Sequence, residues 1–323
     1  MGVGLGSNLA VGFQKETTYN TEVTSALKGV YVEPTESFED VRGKADGEQA
    51  RQTKYPIADQ RVNTLNSWTG GFQGKIPKHG FGYPLLLAFE TTSTDGSGSH
   101  FTLKEASTDS YTFYVDRDVQ KYAFAGGKLA SMNIDWGAPQ ATFAITLEGG
   151  DSNTDLTTKS ISRASTDTLY SRNHFALYVG SAGSAATDEI CATAATTAFT
   201  FPLANGEDVS YCLGDASRNR LIAVGPNEVT GSFSFVYDSD NTDSAYLEND
   251  FRDGTKRSLK FVLSDTQSVT LNLLHCDFES FSSPIADTSL RRVTVNYKAF
   301  SAGQSTDIEF VVSDGFNTDG YSL

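Results

Sequence analysis

The feature that most constrains this chain is a short segment that it contains twice. Residues 69–73 read Thr-Gly-Gly-Phe-Gln, and residues 230–234, 161 positions later, read Thr-Gly-Ser-Phe-Ser. The same offset places Leu129–Trp136 on Leu290–Tyr297. Self-similarity at one long, fixed spacing is typical of an internal repeat. The sequence therefore predicts two copies of one domain.

Both copies of the segment lie where hydrophobic residues alternate. Trp68, Gly70 and Phe72 fall on one face of an extended strand, and Gly231 and Phe233 fall on the matching face of the second copy. Short strands separated by Gly, Asp and Ser turns surround them, as in antiparallel sandwiches and barrels. We predict that these five residues belong to the core strands of a mainly β protein, built as two tandem, similar antiparallel β-sandwich or barrel domains, each with one flanking helix.

The length of 323 residues suits two domains of ordinary size. The first is predicted to span residues 1–150, and the second residues 168–323. The polar stretch 151–167 has no aromatic residue and is interpreted as a linker. The flanking helices are predicted at residues 80–90 and 242–252, where apolar residues cluster after each signature strand.

One long stretch departs from this pattern. Residues 35–66 are rich in charged and amide side chains and have little hydrophobic periodicity. A loop of this length inside a compact domain is usually functional or disordered, and both interpretations stay open. The second half has a segment of small residues, 181–198, in the corresponding place. The Gly-, Asn- and Asp-rich tail, 315–323, is predicted to be mobile in the free protein.

Composition argues against several classes of function. The net charge of −15 repels a phosphate backbone, which disfavours tight or sequence-specific binding of nucleic acid. No apolar run approaches the roughly 20 residues of a membrane-spanning helix, and no secretory signal is evident, so no membrane partner is predicted. Cys191, Cys212 and Cys276 are widely spaced, and we predict packed thiols without disulfides or zinc.

No constellation of catalytic residues is apparent. The four histidines share no metal-binding spacing, and no GxSxG elbow occurs among the serines. Asp238–Asp243 begins like a calcium loop, but no glutamate closes it, and a helix-capping turn fits better. We therefore predict no catalytic residue, no metal ion and no cofactor.

The opening of the chain carries a resemblance to a known family. Residues 12–21, Gly-Phe-Gln-Lys-Glu-Thr-Thr-Tyr-Asn-Thr, resemble the start of many tail tube proteins of long-tailed, siphovirus-like phages, where such a turn follows the first strand. The Thr-Gly-[Gly/Ser]-Phe strand followed by a short helix and the terminal β-hairpin are also similar to that family. The resemblance covers nearly the whole chain, and the repeat is similar to the members that have a duplicated domain.

The resemblance implies a structural virion protein of the tail, assembled in the host cytoplasm. Single-domain members form hexameric rings by joining their sheets around a lumen, and three duplicated subunits would form a pseudo-hexameric ring. Stacked rings form the tube through which DNA passes without specific binding, which an acidic lumen would favour. Besides itself, the chain would meet tail terminator, tape measure and baseplate proteins.

In such a tube the arm, residues 35–66, would bridge to the adjacent ring, with Phe38, Tyr55 and Ile57 as candidate contact residues. Two alternatives stay open: another tail or injection-tube component, such as a baseplate or terminator protein, and a carbohydrate-binding β-sandwich. The carbohydrate alternative needs exposed aromatic platforms. We predict instead that the two tryptophans, Trp68 and Trp136, lie in the core.

Overall fold

The computed structural model is mainly β. It describes residues 9–46, 61–104, 109–137, 139–154, 157–162, 168–204, 210–212, 217–237, 242–282, 291–315 and 321–323. The helices are α1 (Gly82–Leu85) and α2 (Thr242–Asp253), with 3-10 turns at Arg172–His174 and Ser305–Asp307. The strands are β1 (Ala10–Lys15), β2 (Leu27–Val30), β3 (Glu39–Asp46), β4 (Arg61–Lys75), β5 (Phe89–Asp95), β6 (Gly98–Leu103), β7 (Tyr111–Arg117), β8 (Gln120–Asp135), β9 (Thr142–Gly149), β10 (Asp151–Asn153), β11 (Ile161–Ser162), β12 (Phe175–Ser181), β13 (Asp188–Ile190), β14 (Ala192–Thr200), β15 (Glu228–Val236), β16 (Arg257–Ser264), β17 (Ser268–Ser282), β18 (Arg292–Ala299) and β19 (Ile308–Ser313).

One antiparallel row of eight strands organises the molecule. Its order is β3-β4-β9-β8-β14-β15-β18-β17, and we call it the central row. A first outer group, β2-β1-β7-β8-β10, adds β11 parallel to β2. A second outer group has the order β13-β12-β16-β17-β19-β6-β5. The strands thus form one large mixed sheet.

The long strands β8 and β17 connect the central row to the outer groups. The first half of β8 pairs with β7 and β10, and its second half pairs with β9 and β14. Likewise, β17 begins between β16 and β19 and continues beside β18. Each long strand therefore contributes to two layers, and the hydrophobic core lies between them.

Side chains of the signature strands form part of this core. Trp68 is fully buried, and its Nε1 donates a 2.7 Å hydrogen bond to the carbonyl oxygen of Ala125. A Cβ atom on Gly70 would lie 2.8 Å from Phe38, and one on Gly231 would lie 2.6 Å from the Tyr297 ring. Each glycine therefore makes room for an aromatic side chain that packs on the signature strand.

The two halves of the chain are not separate units in the structure. β8 of the first half pairs with β14, and β6 pairs with β19. The stretch predicted to be a linker, 151–167, contains β10 and β11, which pair with β8 and β2. Two strand pairings thus cross the predicted domain boundary, and isolated bridges such as Asn66–Ser217 cross it as well.

Three local predictions need correction. The helix predicted at 80–90 is a single turn, because the apolar run Leu85–Phe89 is buried on every side and continues into β5. The helix predicted at 242–252 is confirmed by α2. The stretch 35–66 is not a continuous loop, since β3 and the start of β4 form a hairpin within it, and residues 181–198 form β13 and most of β14.

Of the C-terminal tail that was predicted to be mobile, residues 316–320 lie outside the described residues, and Tyr321 is buried. Its ring lies against Tyr83, with 4.9 Å between ring centroids, and its hydroxyl donates to Asp314. Thr91 Oγ1 donates to the Tyr321 carbonyl oxygen at 2.9 Å. The end of the chain is therefore anchored on the α1–β5 region of the first half.

Candidate assembly surface

The turn after β1 is held by a buried carboxylate. Glu16 accepts hydrogen bonds of 2.7–2.9 Å from the backbone nitrogens of Asn20 and Gly126 and from the hydroxyls of Ser110 and Thr112. Four donors offset the cost of burying this charge. The Lys-Glu-Thr-Thr-Tyr turn thus has a structural role, because it holds the segment after β1 against β7 and β8.

The face of the central row that points away from the core is rich in small polar side chains. Register places side chains of neighbouring strands side by side on this face. Among its uncharged members are Thr69, Gln73, Ser131, Asn133, Thr142, Ala144, Thr146, Ala194, Thr196, Ala198, Thr200, Thr230, Ser232, Ser234, Ser280, Ser282, Thr294 and Asn296. We call it the hydroxyl face.

Many polar groups of the hydroxyl face bond to one another. Thr196 and Ser232 share a 3.0 Å hydrogen bond between hydroxyls, and Asn296 Nδ2 donates to Ser280 Oγ at 2.6 Å. Lys298 Nζ lies 2.8 Å from Glu228 Oε1, which neutralises its charge locally. These bonds engage part of the polar groups of the surface, on which Lys75 and Arg292 also lie by register.

The halves meet in the middle of the central row, at the pairing of β8 with β14. Ser131 lies opposite Thr200, and Asp135 lies opposite Thr196. On the core side, Trp136 Nε1 donates to Thr197 Oγ1 at 3.0 Å. We call this β8–β14 pairing the internal seam.

A second contact between the halves is made by β6 and β19. His100 Nδ1 lies 3.0 Å from Glu309 Oε1, and its Nε2 lies 3.3 Å from Asp95 Oδ1. Burial alone would lower the pKa of His100, but the hydrogen bonds to these two carboxylates outweigh it and raise the pKa. The protonated imidazole is thus the form that binds β6 to β19 best.

A third contact comes from the segment between β14 and β15, whose role the sequence analysis missed. Arg218 lies 3.4 Å from Glu148, and the Tyr211 hydroxyl donates to the Asn66 carbonyl oxygen at 3.2 Å. Ser217 also forms a parallel bridge with Asn66. The described residues of this segment thus lie over the first half of the chain.

At each end of the central row one strand edge has no paired strand among the described residues, although Phe251 of α2 stacks on Phe281 of β17. β3 pairs with β4 on one side, and the second half of β17 pairs with β18 on one side; no described strand pairs with their other sides. Val41 of β3 is 43% exposed, which is unusual for a valine in a strand. Open edges of this kind are templates for pairing with another chain.

The residues singled out from the sequence differ in their burial and in whether the structure describes them. Trp68, Gly70, Phe72 and Phe233 are buried and Gly231 is half-buried; Trp136 is also buried, so neither tryptophan is available as a carbohydrate platform. Phe38 is 5% exposed and packs on Trp68, Phe72, Phe113 and Phe124, so its side chain is engaged within its own chain. Tyr55, Ile57 and the start of the Asp238–Asp243 turn lie outside the described residues.

The cysteines are free thiols, and only one fits the prediction of packing. Cys276 is buried, but Cys191 and Cys212 are exposed. Within the described ranges, no group of histidine, cysteine and acidic side chains is arranged to hold a metal ion. No helix in the same part of the chain is long and apolar enough to cross a membrane.

Comparison with known proteins gives one clear result. A family model described as "Phage tail tube protein" matches residues 6–309, nearly the whole chain. No curated protein matches the sequence.

Proposed function

Because this chain belongs to the phage tail tube protein family, we propose that three copies join edge to edge into a pseudo-hexameric ring. Family membership makes the protein a structural, non-enzymatic component of the virion tail that assembles with itself into a tube. The finer proposal concerns how copies join. It includes stacking of the rings into a siphovirus-type tube that ends at terminator and baseplate proteins and surrounds a tape measure protein.

The observation that carries the proposal is a strand order that occurs twice. The first half contributes β3-β4-β9-β8 to the central row, and the second half contributes β14-β15-β18-β17. The outer strands β2-β1-β7-β8-β10 correspond in the same way to β13-β12-β16-β17-β19. This agreement supports a duplicated domain.

The repeat rested on two sequence matches, residues 69–73 with 230–234 and Leu129–Trp136 with Leu290–Tyr297. The strand order supports the first match and disfavours the second. β4 corresponds to β15, as the two Thr-Gly-[Gly/Ser]-Phe segments predict. Leu129–Trp136 begins in β8, however, and corresponds by position to β17, whereas Leu290–Tyr297 overlaps β18. The residues opposite the signature glycines indicate instead that β9 corresponds to β18. Leu147 of β9 lies opposite Gly70, and Tyr297 of β18 lies opposite Gly231.

The internal seam then serves as a template for the contact between copies. β8 occupies the last place of the first half and pairs with β14, the first strand of the second half. By the same rule, β17 would pair with β3 of the next copy. The observed pair of Ser131 with Thr200 then implies that Ser280 lies opposite Val41 of the next copy. This follows because Ser131 and Ser280 hold matching positions beside β9 and β18. Such a head-to-tail contact generates a ring when its rotation closes.

A closed ring of three copies would join the central rows into one barrel of twenty-four strands without an open edge. Its hydroxyl face would then line the lumen. The expectation of an acidic lumen is replaced by a more specific proposal: internal hydrogen bonds and the Lys298–Glu228 pair engage groups that could otherwise bind phosphate. DNA would slide over a surface of hydroxyl, amide and methyl groups.

Native mass spectrometry together with electron microscopy of the purified protein tests the proposal. Particles of three 34.8 kDa chains, with six lobes around a hollow centre, are expected, along with longer stacks at higher concentration. Compact particles of two or four chains, or filaments without a lumen, would contradict it.

A further inference from the structure

An open cleft lies where β15 begins and β18 ends, between these strands of the second half and residues of the first half that include Lys15, Leu103 and Lys104. The described residues leave a volume of about 880 Å³, lined among others by Asn227, Glu228, Lys298 and Phe300. The Phe300 side chain is 39% exposed, and Val224, in the strand-like segment leading to this end, is 52% exposed. Exposed apolar side chains beside a cleft are typical of a surface that binds a partner.

The equivalent place in the first half is covered by protein. Its floor consists of Asn66, Glu148 and Gly150, at the same positions on β4 and β9 as Asn227, Lys298 and Phe300 on β15 and β18. The segment between β14 and β15 lies on this floor. A Cβ atom on Gly150 would come within 2.8 Å of the Arg218 carbonyl oxygen, so the approach is very close.

The covering segment reaches the first half because of its position in the central row. It connects β14 to β15, and β14 pairs with β8, which is the strand of the first half next to the second half in the central row. In a ring, β3 of the next copy would stand in the same relation to β17. The segment that connects β3 to β4 in that copy would then lie over the second half of the preceding chain.

We propose that the cleft is the docking site for the β3–β4 hairpin of the neighbouring copy in the same ring. This inference rests on the proposed ring and specifies one of its contacts. Residues 47–60 of the hairpin contain Tyr55-Pro-Ile57, an apolar group between Lys54 and Asp59. The cleft matches this chemistry with the Phe300 ring and with charges of both signs, Lys298 and Glu228.

The cleft differs from the covered place in the first half in one way that favours the binding of an apolar segment. Where the first half has Gly150 under a backbone segment, the second half has Phe300, whose exposed surface would be lost from water on docking. Tyr55 and Ile57 would thus contact a chain of the same ring instead of the adjacent ring. The contact would be made when rings close and would precede stacking.

Photo-crosslinking from position 55 tests this assignment. The photoreactive amino acid p-benzoylphenylalanine replaces Tyr55 in the full chain, isolated rings are irradiated, and the crosslinked peptides are identified by mass spectrometry. Crosslinks to residues 222–229 or 298–305 of another copy are expected before any stacking. Phe300→Ser should lower their yield at least about fivefold, because it removes the apolar contact. Val119→Ser, which alters a side chain that is 53% exposed outside the cleft, should leave the yield unchanged.

The outcomes separate this inference from the ring itself. Rings that crosslink elsewhere, or within their own chain, or only after stacking, would overturn the hairpin assignment and leave the ring standing. If native mass and microscopy of the same sample show no ring, both proposals fall.

Discussion

The internal seam and the outer edges of the central row are built from strands that correspond in the proposed duplication, but they differ in the contacts that surround them. Beside the internal seam, further contacts join the halves, among them β6 with β19, Tyr321 with the α1–β5 region, and Arg218 with Glu148. At the outer edges, within the described residues, β3 and the end of β17 have none of these. The β5–β6 hairpin has no counterpart after α2, where the chain continues directly into β16.

This difference separates folding from assembly. One junction is secured within the chain, so it forms whenever the protein folds. In the proposed ring the other junction forms between copies, so it would depend on concentration. Substitutions at the internal seam should therefore lower the free energy of unfolding, whereas substitutions at the outer edges should change assembly alone.

Trp136→Ala should have the largest effect on folding. The indole is fully buried, stacks on Phe261 and Phe310, and donates to Thr197, so it belongs to the first half but packs on the second. Its loss should cost about 3–5 kcal/mol. Urea unfolding followed by fluorescence and by circular dichroism should give one shared transition. Separate transitions for the two halves would show that the seam does not couple them.

Tyr321→Ala should have the next largest effect, about 2–4 kcal/mol, because it removes a buried ring and a hydrogen bond to Asp314. Tyr321→Phe keeps the ring and serves as the matched variant, with an expected cost of about 1 kcal/mol. The same urea titration measures both. Equal stability of the alanine variant and the parent would mean that the tail does not secure the internal contact.

Asp40→Pro should change the free energy of unfolding by less than about 1 kcal/mol and yet abolish rings. Ser37 donates to Gly71, so the alternation along β3 directs the N–H of residue 40 away from β4, toward the open edge. Proline removes this donor, which the next copy needs, and spares the β3–β4 ladder. Asp40→Ala retains the N–H and should assemble normally in light scattering. Ring formation by the proline variant would argue against pairing at this edge.

The smallest effect concerns pH at the β6–β19 contact. The folded pKa of His100 is raised, so its contribution is fully present below the unfolded value of about 6.5 and is lost as pH rises through the folded pKa. The stability difference between the parent and His100→Gln should therefore shrink from pH 5.5 to pH 8.5. A difference that does not vary with pH, measured by urea titration, would mean that the charge on His100 does not link the halves.

Alternation in the signature strands was sufficient to predict the buried positions of Trp68, Phe72 and Phe233, because one face of each strand is in the core. β3 was missed for the opposite reason: Asp40 and Val41 are both exposed, so an edge strand of this kind has no buried face and no period of two. The buried run Leu85–Phe89 is apolar throughout, and periodicity cannot distinguish helix from strand there.

The assembly surface was less accessible from sequence than the core. The repeat indicated two copies of a domain, but the pairing of β8 with β14 depends on contacts between residues about sixty positions apart, which no local pattern records. The cover over Glu148 was missed because residues 201–227 have neither the charge nor the length of the stretch 35–66. Burial of Tyr321 depends equally on a distant partner, Tyr83.

A disulfide between β3 and β17 tests the pairing of copies most directly. In a background with Cys191 and Cys212 replaced by serine, Val41→Cys and Ser280→Cys would face each other as a pair without mutual backbone hydrogen bonds, where side chains are closest. Ser131→Cys with Thr200→Cys is the matched control inside one chain, and Val41→Cys with Ser282→Cys is out of register. Oxidised particles should give a covalent trimer on a non-reducing gel for the first pair and a monomer for the control. A monomeric first pair alongside an oxidised control, or equal crosslinking of the out-of-register pair, would contradict the proposed ring.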